Sequence, residues 1–418
     1  APISVGVVVG GIAVSYLEAR TTVGGRTEAF AKGTTTIAAS LLDIDAFDAV
    51  DATPEVVAVV VGAIGGTGVV AESTLTRRTV AGITGGSYNL GTGALQIRAE
   101  SDIDVTPDVV TATVAAVAVS AIFLTTNLGG ETLARIDGGS VTQAGNVTVE
   151  AYDGLVDTTD ATASAVSVAD TGISGAGLNV KAFYTRRTQA LVANGSVQIG
   201  TSTLRILADI DVDVEAEVTT VGVSLGSVSV ILLEASTQSA DGSAKAEVIA
   251  GIGDAADVDA GLVDIDADAL TDVTADAASV TVTLIGVQLT DVQAKDRTYV
   301  EAHIGPARAA ARTGTATDVV GSAGVQVDAV HDGTTLAEND ATNVGIGVAV
   351  NDDAPGGATK ADSASTVRVA LGTDAKASAG STALVFRAQG KTNAVGYGLG
   401  VSASVLGSYS GIEVEATL

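Results

Sequence analysis

Residues Ile206–Val218 read ILADIDVDVEAEV, and this stretch decides the fold class. Apolar residues occupy every second position from Ile206 and Ala208 through to Val218. The residues between them are Leu207, Asp209, Asp211, Asp213, Glu215 and Glu217. A period of two is that of a β-strand, whose successive side chains point to opposite faces. The stretch therefore predicts a strand with a buried apolar face and an outward acidic face.

A short motif recurs along the chain, in which an apolar residue is followed by any residue and then by Ala. Its copies are Ile37-Ala38-Ala39, Ile97-Arg98-Ala99, Val149-Glu150-Ala151, Ile206-Leu207-Ala208, Ile265-Asp266-Ala267, Val327-Asp328-Ala329 and Phe386-Arg387-Ala388. The mean spacing of about 58 residues predicts one continuous repeat array over residues 1–418. We expect the units to end near residues 50, 108, 160, 217, 275, 337 and 395. An eighth copy, Val414-Glu415-Ala416, comes early and marks residues 396–418 as a short terminal unit or cap.

Each unit offers about three strand-like stretches separated by Gly, Asn, Asp and Ser, whereas helix signals are weak. Repeats whose strands cannot form a core alone bury their apolar faces by stacking on each other. The sequence therefore predicts an all-β, elongated repeat fold, a β-helix-like β-solenoid of about seven units. This array replaces the two or three globular domains that a length of 418 residues would otherwise suggest.

The composition fits thin, closely stacked layers. Hydrophobic residues make up 46% of the chain but aromatic residues only 3%, so Ala, Val and Ile must fill the core. This apolar content argues against intrinsic disorder. A net charge of −28 excludes nucleic acid and anionic membrane surfaces as favourable partners. The chain has no Cys, which excludes disulfides and thiolate metal sites, and its apolar runs are too short to span a membrane.

Acidic residues at matching places in three units form the candidate metal site. They are Glu100, Asp102, Asp104, Asp209, Asp211, Asp213, Asp266, Asp268 and Asp272. Stacking would bring like charges close together, and like charges on neighbouring strands destabilise a sheet. The favoured interpretation is a solvated acidic face that keeps the protein soluble. The alternative is bound calcium, a hard cation that takes carboxylate oxygens; no other cofactor is expected.

Two basic doublets occupy equivalent positions. Arg77-Arg78 and Arg186-Arg187 each lie in a Thr-Arg-Arg-Thr tetrad that ends shortly before an Ile-x-Ala motif, and Arg297 resembles a third copy. We expect these arginines to pair with acidic residues of a neighbouring layer or subunit. Surface pairs of this kind are worth about 0 to 1 kcal/mol each.

Catalytic patterns are few, so we predict that the protein is not an enzyme. His303 and His331 are the only histidines and fall at different positions of their units. The stretch Gly222–Gly226 (GVSLG) matches the G-x-S-x-G string of serine hydrolases. That string requires a strand, a sharp turn and a helix, whereas here it lies within strand-like sequence.

Several units resemble the repeats of giant bacterial surface proteins. The residues that carry the resemblance are Ala134–Tyr152 (ARIDGGSVTQAGNVTVEAY), Ala190–Asp209 (ALVANGSVQIGTSTLRILAD) and Val344–Asn351 (VGIGVAVN). They are similar to the leukotoxin-type and haemagglutinin-like filamentous adhesins. The resemblance implies a secreted, cell-surface, repetitive β protein.

The leading functional hypothesis is a non-enzymatic extracellular structural protein. It would act on a bacterial surface as a rigid stalk or as the subunit of a filament that assembles head to tail with further copies of itself. The second hypothesis is an adhesin that binds a host or neighbouring surface, or a glycan, through loops between strands. A third is a β-helical polysaccharide-degrading enzyme.

Overall fold

The computed structural model describes residues 2–33, 36–155, 158–306, 316–353, 358–372 and 375–418. Within these ranges the chain forms β-strands and no helix. The strands are β1 (Ile3–Lys32), β2 (Thr36–Ala38), β3 (Leu41–Ala52), β4 (Glu55–Thr84), β5 (Ser87–Asn89), β6 (Ala94–Val105), β7 (Asp108–Asp137), β8 (Ser140–Thr142), β9 (Val147–Asp153), β10 (Thr159–Ala193), β11 (Ser196–Gln198), β12 (Thr203–Ser236), β13 (Glu247–Ile252), β14 (Asp257–Asp296), β15 (Tyr299–Ile304), β16 (Asp318–Asp353), β17 (Thr359–Ser363), β18 (Thr366–Leu371), β19 (Lys376–Ser378), β20 (Leu384–Ser404), β21 (Gly407–Gly411) and β22 (Val414–Thr417).

The strands pair in parallel, each with the equivalent strand of the next turn of the chain. Ile3 of β1 pairs with Glu55 of β4, and Glu55 pairs with Asp108 of β7. Along the long strands the paired residues are 52 to 63 positions apart. The all-β class and the parallel, solenoid-like architecture predicted from the sequence are confirmed. We call one such turn of the chain a layer.

Each layer folds back on itself at a point where the pairing skips one residue. In β4 the skipped residue is Ala63, which lies between Gly62 and Ile64 of the ladder, and in β7 it is Ala116. The chain before this reversal is called the first arm, and the chain after it the second arm. The arms face each other, since Asn343 donates a hydrogen bond to the carbonyl of Val350 across the reversal of β16. A third, narrow side is formed by short strands such as β5, β8 and β11.

The core lies between the two arms and consists of small side chains. In the first arm the buried positions form columns along the stack, such as Ala99, Ala151, Ala208, Ala267 and Ala329. Ala at these positions lets the second arm approach closely, so each layer is thin. The alternation predicted for β12 is present, because Ile206, Ala208 and Ile210 are buried whereas Asp209 and Asp211 face outward.

The motif copies stack in register with two exceptions, the first copy and the eighth. Ile97 pairs with Val149, and the ladder continues through Ile206, Ile265, Val327 and Phe386. The partner of Ile97 on the other side is Ile44 of Ile44-Asp45-Ala46, whereas Ile37 pairs with Tyr88 on the third side. The assignment of Ile37-Ala38-Ala39 to this column was therefore wrong. Val414 pairs with Thr359 on the second arm, so the eighth copy does not belong to the column either.

Candidate functional site

The outward face of the first arm carries a ladder of aspartates. Asp51 pairs with Asp104, Asp104 with Asp160, Asp160 with Asp213, and Asp213 with Asp272. Neighbouring strands lie about 4.8 Å apart, so five carboxylates follow one another at roughly that spacing. We call these five residues the aspartate ladder.

The structure places the other predicted acidic residues on the same face but not all in contact with like charges. Asp209 pairs directly with Asp268, and Tyr152 separates Asp209 from Glu100 in the same column. Three other candidates pair with apolar residues: Asp102 with Ala49, Asp211 with Leu270, and Asp266 with Leu207. On its other side Asp266 pairs with Asp328, an acidic residue missing from the predicted set.

This crowding changes the proton affinity of the carboxylates. Burial, together with Asp268 and Asp211, raises the pKa of Asp209 to about 6. Burial and the neighbours Glu215, Asp272 and Asp211 raise the pKa of Asp213 to about 6. The largest effect is at Asp266, where burial and three nearby aspartates raise the pKa to about 7. A proton is therefore held on part of this face near neutral pH.

The acidic side chains of this face are the residues from which the sequence predicts a calcium site. Among the described residues no group of three or more His, Asp or Glu side chains has an arrangement that could hold a metal ion. Calcium binding by the nine acidic residues stays a prediction of the sequence. The register pairs carboxylates of neighbouring layers, such as Asp213 with Asp272.

Two arginines of the predicted doublets point into the space between the arms, with Arg186 fully buried and Arg77 partly buried. Arg186 is fully buried, and its Nε donates to Oδ2 of Asp153 at 2.7 Å across the core. An equivalent pair within a different layer joins Arg77 and Asp48. The Nε of Arg77 donates to Oδ2 of Asp48 at 2.5 Å, and its Nη2 donates to Oδ1 at 2.7 Å. The expectation of surface pairs worth up to about 1 kcal/mol was wrong for both, because their side chains point between the arms.

The network around Arg186 satisfies both charged groups. Besides Arg186, Asp153 accepts hydrogen bonds from the hydroxyls of Tyr184 at 2.6 Å and Thr159 at 3.1 Å. Arg186 uses its remaining nitrogens on the adjacent layer, where it donates to the carbonyl of Gly129 and to the hydroxyls of Ser101 and Thr132. The pair therefore joins the two arms of its own layer and fixes that layer on the next one.

Glycine alternates with arginine in this column. Arg77 pairs with Gly25 and Gly130, and Gly130 pairs with Arg186. Gly25 and Gly130 have φ angles of 122° and 121°, a conformation that L side chains rarely adopt. The alternation leaves room for each guanidinium to reach over the glycine of the layer before it.

The outer arginines behave as predicted. Arg78 pairs with Glu131 of the neighbouring layer at 2.6 Å, and Arg187 pairs with Glu247 at 2.8 Å. Arg297 also reaches the neighbouring layer, where its Nη2 contacts Oδ2 of Asp362. These pairs are partly exposed and lie between layers.

Both histidines are buried. His331 lies in the column of Asp48 and Asp153, and its Nε2 lies 3.1 Å from Oδ2 of Asp296. The Nδ1 of His331 lies 3.1 Å from the hydroxyl of Ser365. Burial alone would raise the pKa of Asp296, but hydrogen bonds from His331 and Thr298 hold it below its usual value. This is a third ionisable contact across the core.

A groove of about 970 Å³ lies on the outer side of the second arm. Its floor comes from three successive layers, within residues 185–193, 247–253 and 299–306. One wall is the loop that follows β12, where Gln238 and Lys245 form an antiparallel bridge. The loop is an insertion, because the register offset grows from 53 residues at Phe183 to 60 residues at Arg187.

Polar groups that line the groove are held by one another. Glu301 is buried and accepts hydrogen bonds from the Tyr299 hydroxyl and from Nη1 of Arg368. Lys245 places its Nζ 4.5 Å from the centre of the Tyr299 ring. His303 is buried beside them, its Nδ1 has no hydrogen-bond partner, and burial lowers its pKa to about 4. The imidazole is therefore neutral near pH 7.

The string Gly222–Gly226 lies at the reversal of β12, where Leu225 is the skipped residue. Ser224 donates a weak hydrogen bond to Thr283 at 3.5 Å, and strand β12 continues after the string. The strand, turn and helix that the hydrolase string requires are not formed there.

Comparisons with protein-family models, with curated proteins and with solved structures find no match to this chain. The described part of the chain also contains no helix that is long and apolar enough to cross a membrane.

Proposed function

We propose that the protein is a structural element, a β-solenoid of about seven units that serves as a rigid stalk or as a filament subunit on a bacterial surface. The observation that carries the proposal is the continuous parallel ladder, which joins every layer to the next along one axis. The resemblance to filamentous adhesins supports the same function, and secretion to the cell surface is part of the proposal.

Open strand edges at both ends of the described stack support self-assembly. In the described part of the chain β1 pairs only with β4, and β20 pairs only with β16. Each end layer contains a reversal, at Gly11 in the first and at residues 405–406 in the last. Because all strands run in one sense, a layer from another copy, or from a longer chain, would continue the ladder. Contacts of this head-to-tail type propagate into fibres.

Negative-stain microscopy and sedimentation test the filament. We expect the wild-type chain to form particles that lengthen with concentration along the stacking axis. Val5→Lys with Val7→Lys places two charges along the free edge of β1 and should shorten the particles. The matched control is Val57→Lys with Val59→Lys, at the register partners of these residues inside the stack. Equal lengths for all three proteins would contradict assembly through this edge.

The groove favours an adhesin as a second candidate function. Its charges are paired, as in Arg187 with Glu247 and Arg368 with Glu301, so it suits a neutral ligand better than an ion. Carboxylate, guanidinium and hydroxyl groups beside Leu191 and Ile249 match the hydroxyls and apolar faces of a sugar. A glycan array tests this function. Lys245→Ala should lose binding, whereas Lys181→Ala, outside the groove on the same arm, should keep it.

A further inference from the structure

The surface near the reversals has its polarity inverted. On the inside, hydroxyls pair with one another, as in Thr67 with Thr113 at 3.2 Å and Thr111 with Ser167 at 3.1 Å. On the outside of the second arm, three columns contain only apolar residues and Gly over five successive layers, from β4 to β14; the third column reaches Asp352 in the layer of β16. By layer these are Ile64, Gly66 and Gly68; Val117, Val119 and Ala121; Ile173, Gly175 and Gly177; Gly226, Val228 and Val230; and Ile285, Val287 and Leu289. We call these fifteen residues the apolar face.

The apolar face is corrugated. Val119 forms a ridge together with Val117 and the adjacent Phe123, and Val119 is 62% exposed. On one side of this ridge lie Gly175 and Gly177, where an added Cβ would meet nothing within 4 Å. The ridge is therefore flanked by an open trough one strand spacing away, about 4.8 Å.

The size of the apolar face suits a protein interface. Five strands at 4.8 Å and five residues at 3.3 Å, from Ile64 to Gly68 in the first of these layers, cover roughly 400 Å² of flat sheet. The three columns continue by one more strand through Ile12, Val14 and Tyr16 of β1. The largest apolar patch of a typical monomer is about 300–600 Å² and is often functional. A specific interface buries about 600–800 Å² or more per partner, so the apolar face would form the centre of the contact and exposed neighbours such as Phe123 would form its edge.

We propose that the occupant of the apolar face is the apolar face of a second copy of this chain. A two-fold axis parallel to the strands, lying in the plane between the two faces and midway between the layers of Val119 and Gly175, would place the ridge of each copy in the trough of the other. Ridge and trough have the same spacing, so the surface is complementary to itself, as a two-fold interface requires.

Charge supports a second copy in this orientation. The apolar face contains no charged residue, while the protein carries a net charge of −28. The aspartate ladder lies on the outward face of the first arm, on the side of each layer opposite the apolar face, so the ladders of the two copies lie on the outer surfaces of the pair. This separation minimises repulsion between two acidic chains. The pairing is lateral and goes beyond the end-to-end assembly proposed above.

Filling the trough is the sharpest test. Gly175→Val with Gly177→Val adds side chains where the chain itself leaves open space, and Val is favoured in strands, so the fold should be kept. We expect this double substitution to raise the dissociation constant of the dimer at least tenfold, as measured by sedimentation velocity in a protein that also carries Val5→Lys and Val7→Lys. Thermal unfolding of the same protein shows that the variant is folded.

A matched pair of charge substitutions completes the experiment. Val119→Asp places a charge on the ridge, and Val114→Asp places one on the first arm of the same layer, where Val114 is also exposed. Val119→Asp should abolish the dimer and Val114→Asp should leave it. Equal effects of the two substitutions overturn the proposal. So does a wild-type chain that stays monomeric at its highest soluble concentration, or one that is monomeric and binds phosphatidylcholine vesicles through this face.

Discussion

Arg186 and Asp153 form an ion pair across the core in which neither side chain is exposed, with Nε 2.7 Å from Oδ2. The arginine comes from the second arm and the aspartate from the first arm of one layer. Every nitrogen of the guanidinium donates to a group of this layer or of the adjacent one. The core around it consists largely of Ala, Val, Ile and Leu, and within it this pair is a polar link between the two arms.

Removing one partner of this pair should be costly. We expect Arg186→Met to lower the free energy of unfolding by about 3–5 kcal/mol, because the Asp153 carboxylate then stays buried without a counter-charge. Chemical denaturation measures the change. Arg78→Met, which breaks the exposed pair with Glu131, is the control and should cost less than about 1 kcal/mol.

The double variant separates charge from packing. Arg186→Met with Asp153→Leu removes both charges, so we expect it to recover most of the stability that Arg186→Met loses. A double variant no more stable than Arg186→Met would mean that the shape of the network, rather than the unpaired charge, controls stability.

Gly130 should be irreplaceable for a steric reason. Its φ angle is 121°, and an added Cβ would collide with the backbone oxygen of Arg77 in the neighbouring layer. We expect Gly130→Ala to destabilise the protein by more than the roughly 1–3 kcal/mol of backbone strain alone. Gly200→Ala is the control, since Gly200 has a φ of 61° and open space around it. A comparable loss for both variants would rule out the collision as the cause.

The acidic face should make stability fall as the pH rises. The pKa values of Asp209, Asp213 and Asp266 are raised to about 6, 6 and 7, so the folded state binds these protons more tightly than the unfolded chain does. Their contribution is fully present below about pH 4 and is lost as the pH passes through 6 and 7. Thermal unfolding should therefore show a higher Tm at pH 5 than at pH 8.

The buried His303 opposes this trend. Its lowered pKa, about 4, means that its contribution is lost as the pH falls below about 6.5, but three carboxyl groups outweigh one imidazole. A variant that combines Asp209→Asn, Asp213→Asn and Asp266→Asn should show a flatter dependence of Tm on pH and a higher Tm at pH 8. Asp170→Asn, whose register partners are Val114 and Val223, should leave the profile unchanged. A wild-type Tm that rises from pH 5 to pH 8 would refute the assignment.

Calcium is tested on the same residues. If the cation screens the aspartate ladder, millimolar CaCl₂ at pH 8 should raise the Tm more than NaCl of equal ionic strength does. The increase should disappear in Asp213→Asn with Asp272→Asn. Equal responses to the two salts would leave the ladder as a solvated acidic face.

The period of two in Ile206–Val218 was enough to predict the class of fold and the face that each residue occupies. Asp48 and Asp153 also carried a signal, because each follows the Ala of its motif by two residues and so falls on the buried parity of the strand. An acidic residue at such a position indicates a buried partner. Its identity depends on the fold-back of each layer, which a spacing of about 58 residues does not specify.

The groove and the apolar face could not be predicted from the sequence, for a related reason. A repeat period predicts which residues share a column. The loop at residues 237–246 is an insertion into the repeat, so the period does not predict where its residues lie. The exposure of Val119 is equally hidden, because valine in a strand is more often a core residue. Only the skipped residue at Ala116 shows that the chain turns there and that Val119 faces outward.

The backbone hydrogen bonds between layers run along the stacking axis, and this determines how the molecule resists a pulling force. A pull along that axis loads the whole ladder between two layers at once, from Leu41 with Ala94 to Thr84 with Asp137 in one case. Rupture should then begin at the junction whose ladder is least regular. The ladder between β14 and β16 shifts register near Ala260 and again near Thr283. We therefore expect these two layers to separate first when the stack is pulled along its axis.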